Sequence, residues 1–118
     1  MIAAIVTKIR AGSITNVAEF GYAKDLTAPY VVVRPERDPA GRGERVRVIA
    51  HMLKGQQTFL RRYVRSELSD LLADAEIVSS SGVANVLESE DDWGGILADN
   101  DDGTISMERC FLLPSRLF

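Results

Sequence analysis

The sequence predicts an α+β domain in which an antiparallel sheet of about four strands packs against two helices. Three observations predict it. Tyr30–Val33 is a β-branched run between Pro29 and Pro35, the composition of a short strand. Arg45–Met52 alternates, with Val46, Val48, Ala50 and Met52 opposite Arg45, Arg47, Ile49 and His51, the period of a half-buried strand. After Gly55, Phe59, Leu60, Tyr63, Val64, Leu68, Leu71 and Leu72 form an apolar stripe at helical spacing, and such a stripe must be buried against another element.

The remaining elements follow in order. Ile2, Ile5, Val6 and Ile9 fall at i, i+3, i+4 and i+7, one face of a short helix that Gly12 is placed to stop. Val17, Phe20 and Tyr22 suggest a short strand in a stretch otherwise loop-like. The Tyr30–Val33 strand, apolar on both faces, is expected inside the sheet and limited by its two prolines. Residues 35–43 form a connection longer than the usual two to five residues of a hairpin, expected to project and to be mobile. Ser79–Gly82 reads as a flexible linker, Val83–Leu87 as a strand, and Glu88–Gly95 as a charged turn containing Trp93. Gly103–Leu113 alternates again and is expected as a last strand ended by Pro114.

With 118 residues the chain makes one domain able to bury about two-thirds of its unfolded surface, with its core in 29–73 and an acidic, loop-rich part in 79–103. The single Cys110 excludes an internal disulfide. Residues 1–9 are too short and polar for a leader's apolar core, and no apolar run approaches the ~20 residues of a membrane span. The expected place of synthesis is the cytoplasm.

The net charge of -3 hides an asymmetry. Residues 1–65 hold 12 Lys/Arg against 5 Asp/Glu, a balance of +7; residues 66–118 hold 2 against 12, a balance of -10. Unlike surfaces on one subunit suit head-to-tail association, which closes into rings or grows into filaments.

Chemistry-bearing motifs are sparse. Setting Gly103 at position 6 of an EF-hand loop puts Ala98 at position 1 and Arg109 at position 12, so two required ligands are missing and Asp99–Gly103 reads as a surface turn. His51 and Cys110 are 59 residues apart without a flanking signature, and the carboxylates of 88–102 lie where little apolar material could raise a pKa. No catalytic residue, metal ligand or cofactor is assigned. Arg34, Arg37, Arg42, Arg45 and Arg47 cluster on the first two core strands and their connection. With Trp93, Asp91 and Asp92 of the acidic turn they are the candidate interface for a second copy or another partner. Arg61, Arg62 and Arg65 line the outer side of the helix. Nucleic-acid contact by the arginines would call for stacking aromatics beside them, and the strands offer only Tyr30.

The order of a small N-terminal helix, Pro29–Arg34, an extended loop, a strand ending Val48–Met52, and a helix closing Glu67–Leu72 resembles the tail-terminator (tail-completion) proteins of long-tailed bacteriophages. The late strand ending Phe111–Pro114 fits the same layout, while the serine stretch and the Trp93 turn have no counterpart. The resemblance implies a non-enzymatic virion protein of the tail or neck, assembled as a ring, commonly of six subunits, without cofactor or membrane. Its partners would be itself, the tail tube protein whose growth it ends, and a head connector or stopper protein, with DNA passing unread through the lumen. Another neck component, such as a head-completion or stopper protein, and a small nucleic-acid-binding regulatory domain are the alternatives.

Overall fold

In the computed structural model, residues 2–20, 26–37, 43–73, 76–79, 82–85, 87–88 and 97–114 are described. Helix α1 (Ile2–Arg10) is followed by β1 (Val17–Glu19), β2 (Tyr30–Arg37) and β3 (Gly43–Leu53). A second helix runs without interruption through α2 (Gln57–Arg62), a π-helical turn (Tyr63–Glu67) and α3 (Leu68–Leu72). Then come β4 (Glu76–Ser79), β5 (Gly82–Asn85), β6 (Leu87–Glu88), β7 (Ala98–Asp99) and β8 (Thr104–Pro114). The main sheet has the order β1-β2-β3-β8-β6, with β7 also paired to β8, while β4 and β5 form a separate hairpin. The α+β class is therefore as expected, with more strands than four. The sheet is mixed, because β1 runs parallel to β2.

Burial explains the layering. Val31, Val33, Val46, Val48, Ala50, Met52, Ile105, Met107 and Phe111 occupy one face and are buried with Ile5, Val6, Ile9, Leu60, Tyr63, Val64, Leu68 and Leu72 of the helices. The predicted apolar stripes of both helices are the ones used. Leu60, Val64, Leu68 and Leu72 recur every four residues. In a regular α-helix of 3.6 residues per turn the first and last would drift apart by about a third of a turn. The wider turn at Tyr63–Glu67 takes up that drift and keeps all four over the sheet. Arg109, the one buried charged residue on the packed face among the described residues, meets this turn: its Nη1 donates to the carbonyls of Val64 and Arg65, each at 3.0 Å, and to Ser69 Oγ at 2.5 Å.

Three expectations for the connections are corrected. Pro35 does not end its strand; β2 continues to Arg37. Val31 donates to the Asn16 carbonyl and the Val33 carbonyl accepts from Phe20, so odd-numbered residues turn their amides toward β1. Pro35 shares that side, beyond the last β1 pair at Glu19–Val33, where a missing N–H costs nothing. The β2–β3 ladder accordingly closes down to Arg37 opposite Glu44, and the long projecting connection shrinks to positions 38–42, which lie outside the described residues. Ser79 pairs with Gly82, so the two ends of the expected flexible linker are strand residues of a hairpin; Ser80 and Ser81 lie outside the described residues. The expected Glu88–Gly95 turn falls largely outside the described residues.

Gly12 follows the end of α1 and is favoured there for a reason of space. A Cβ there would lie 2.7 Å from Glu67 Oε2 and from Leu71 Cδ1. The close approach lets Glu67 accept from Ser13, whose amide lies 2.7 Å from Oε2 and whose Oγ lies 2.8 Å from Oε1. No helix among the described residues is long and apolar enough to cross a membrane.

Candidate functional site

The face of the sheet away from the helices holds the candidate site. Alternation puts Arg34 and Glu36 of β2, Arg45 and Arg47 of β3, and Glu108 and Cys110 of β8 on it together, because Arg34 is level with Arg47, Glu36 with Arg45, and Cys110 with Arg47. Two arginines directly opposite one another would repel. Glu36 resolves this: its carboxylate accepts from Arg34 Nη2 at 2.6 Å, Arg45 Nε at 2.8 Å and Arg47 Nε at 2.7 Å. Arg47 also donates to Glu108.

The electrostatics follow. Hydrogen bonding from Arg47 is the largest influence on Glu36, and with the bonds from Arg34 and Arg45 it outweighs burial and holds the carboxyl down at about 2. The same contact raises Arg47 further. Arg45 is 7% exposed, whereas the Arg34 side chain is 41% exposed and its guanidinium lies over the Phe20 ring, 5.7 Å from the centroid. The array is a rigid set of guanidinium groups, paired through charge-assisted hydrogen bonds, with Arg34 at its accessible border.

Of the residues expected to form an interface, the structure brings together Arg34, Arg45 and Arg47. Arg37 is exposed and by alternation falls on the opposite face. Arg42, Asp91, Asp92 and Trp93 lie outside the described residues. Glu36, which organises the array, was not singled out from sequence. Its signal was there, two residues after Arg34 and hence on the same face of an extended strand.

Further along this face Tyr30 stacks on His51, ring centroids 4.5 Å apart and 11° from parallel. Burial lowers the His51 pKa, against an opposing pull from Asp102. His51 is level with Ser106 and Cys110 with Arg47. Four residues of β8, about 14 Å of strand, therefore separate His51 from Cys110, and they do not form a nucleophile–base pair.

The β7–β8 turn uses its acidic oxygens internally. Asp99 Oδ1 accepts from the Asp101 amide at 3.0 Å, and Asp102 Oδ1 from the Thr104 amide at 2.9 Å. Asp101 takes φ 60° and Gly103 φ 88°, left-handed conformations that Asp tolerates and Gly favours. Among the described residues no group of three His, Cys, Asp or Glu is placed to hold a metal ion.

A groove of about 400 Å³ runs between α1 and β1, lined by Ala3, Val6, Thr7, Arg10, Ala18 and Glu19. Arg10 donates from this wall to the Val17 carbonyl at 2.6 Å, a group that points away from β2. It thereby covers part of an edge that would otherwise invite strand pairing.

Comparison of the chain with protein-family models, with curated proteins and with solved structures gives no match.

Proposed function

We propose that this chain is a structural virion protein that assembles as a ring, of six subunits as the resemblance implies, and caps the tail tube at the head–tail junction. In this reading the ring ends tube growth and offers its other side to a head connector or stopper protein. The observation that carries the proposal is the Arg34–Glu36–Arg45–Arg47 array, with Glu108. It is held on strands, on the face the helices leave uncovered, and presents a preorganised cationic border to a partner. Preorganised guanidinium groups spend little entropy when they meet carboxylates.

Other features are compatible with the reading. The +7 and -10 halves of the chain favour contacts between unlike surfaces of successive copies, the arrangement that closes a ring. The acidic half, turned to the lumen, would repel the phosphates of passing DNA. On the face opposite the helices, the Arg34 side chain is 41% exposed and so accessible to a partner.

Tube length is the test. Tail tube protein polymerised alone gives tubes of uncontrolled length; with this chain added, negative-stain images are expected to show capped tubes that stop elongating. Continued elongation with the chain present overturns the terminator role. Salt-sensitive binding to duplex or single-stranded DNA, without effect on tubes, supports the regulatory-domain alternative instead.

A further inference from the structure

Two large apolar side chains stand out from the described surface, Phe20 at 59% exposure and Leu53 at 52%. Each has a charged group beside it that leaves one sign in excess. Phe20 carries the Arg34 guanidinium over its ring. Leu53 is level with Thr104, and the amide of its neighbour Lys54 donates to the Gly103 carbonyl at 3.1 Å, which seats Leu53 beside the β7–β8 turn with its exposed Asp101 and Asp102. In that turn Lys54 pairs with Asp99 at 3.2 Å. Among the described residues Asp101 and Asp102 make no ion pair.

The two patches share a face but not a neighbourhood. Arg34 and Leu53 both lie on the helix-free side, Arg34 level with Arg47 and Leu53 six residues beyond Arg47 on β3. That is about 20 Å along the strands. Phe20 follows the edge strand β1, while β7 lies on the far side of β8. An aromatic with a cation thus occupies one corner of the sheet, and an aliphatic with two anions lies toward the opposite corner. They are too far apart to meet within one chain, and they match each other in both apolar and charged character. Aromatic and Arg side chains are also the types that most often anchor interfaces.

We infer that the Phe20–Arg34 patch of one copy docks on the Leu53–Asp101–Asp102 patch of the next, a head-to-tail contact that repeats from copy to copy. The inference rests on the self-assembly part of the proposed function and is independent of the tail-tube role.

Charge exchange between separate chains tests it. Arg34→Glu makes both patches anionic; D101K/D102K makes both cationic. Sedimentation velocity over a concentration series, without tube protein, is expected to show each variant associating at least about tenfold more weakly than the parent. An equimolar mixture of the two is expected to recover parental association, since every contact is again between unlike charges. Parental association by either variant alone, no recovery in the mixture, or a parent that stays monomeric to its solubility limit overturns the inference. If Arg34→Glu does not fold, Phe20→Cys mixed with Leu53→Cys reads the same contact. Oxidation should then give chiefly the mixed disulfide dimer, and a statistical distribution of dimers overturns it. Rings that depend on these residues yet leave tube length uncontrolled would retire the terminator role and keep the contact.

Discussion

Replacing Glu36 by Gln should cost about 2 kcal/mol at neutral pH, and the loss should fade in acid. Glu36 has an ordinary value of 4.5 and is held at about 2 in the folded chain. At about 1.4 kcal/mol for each tenfold change in proton affinity, that gap sets a ceiling of about 3 kcal/mol. The Glu36 side chain is 14% exposed, which keeps the contacts from being fully screened, but the Arg34 side chain is 41% exposed. Gln also retains an acceptor for one arginine, and Arg47 keeps Glu108. These discounts bring the expected cost to about 2 kcal/mol, a sizeable part of a typical domain's 5–15 kcal/mol, roughly.

The sign of the pH dependence follows from linkage. A carboxyl depressed by folding contributes its full stability above the unfolded value near 4.5 and loses it as pH falls through about 2. Urea unfolding of parent and Glu36→Gln, followed by circular dichroism, should therefore show midpoints about 1 M apart at pH 7. The separation should hold down to about pH 5.5 and shrink steadily below 4.5. Other carboxylates titrate in both proteins and cancel in the difference. A difference under about 0.5 kcal/mol at pH 7, or one that is the same at pH 2.5 as at pH 7, would falsify the claim that the Glu36 carboxylate helps to hold the array.

Two further substitutions probe the packed face. Arg109→Leu strips the donor from the Val64 and Arg65 carbonyls and from Ser69 Oγ; unpaired buried acceptors cost about 1–3 kcal/mol each. Relief from burying a charge offsets part of this, leaving an expected loss of about 2 kcal/mol with faster amide exchange confined to residues 63–69. Unchanged stability and protection would mean that the π turn does not depend on Arg109. Gly12→Ala, a change that commonly stabilises by about 0.4–1 kcal/mol where the backbone allows it, should here destabilise by about 1 kcal/mol, because the new Cβ meets the tips of Glu67 and Leu71 at 2.7 Å and Glu67 can yield only by giving up its bonds to Ser13. Combining it with Glu67→Ala should cost less than the two losses added together; strict additivity in urea melts would place the clash elsewhere.

Much of the fold was legible because it depends on periodicity. Ile5 and Ile9, Val46 to Met52, and Leu60 to Leu72 carry helix and strand spacings that burial alone imposes, and each is buried as its spacing predicts. The class of the fold follows from those spacings. What failed was punctuation. Pro35 reads as a stop, yet it is tolerated because its missing N–H turns to the side where β1 has ended. Ser79–Gly82 reads as a linker because its polarity does not reveal that Ser79 and Gly82 pair.

The sequence by itself determined which residues are apolar on which side of each element, and the unequal charges of its two halves. Those properties are local, set by the order of side chains along one strand or one helical turn. Tertiary structure alone decided that three arginines converge on Glu36, that Glu67 holds Ser13 across 54 positions, and that Arg109 reaches the π turn from a strand 45 residues away. Each of these depends on how separate elements are placed together; for the arginines on β3 and β8, a register shift of one residue would send the side chain to the other face of the sheet.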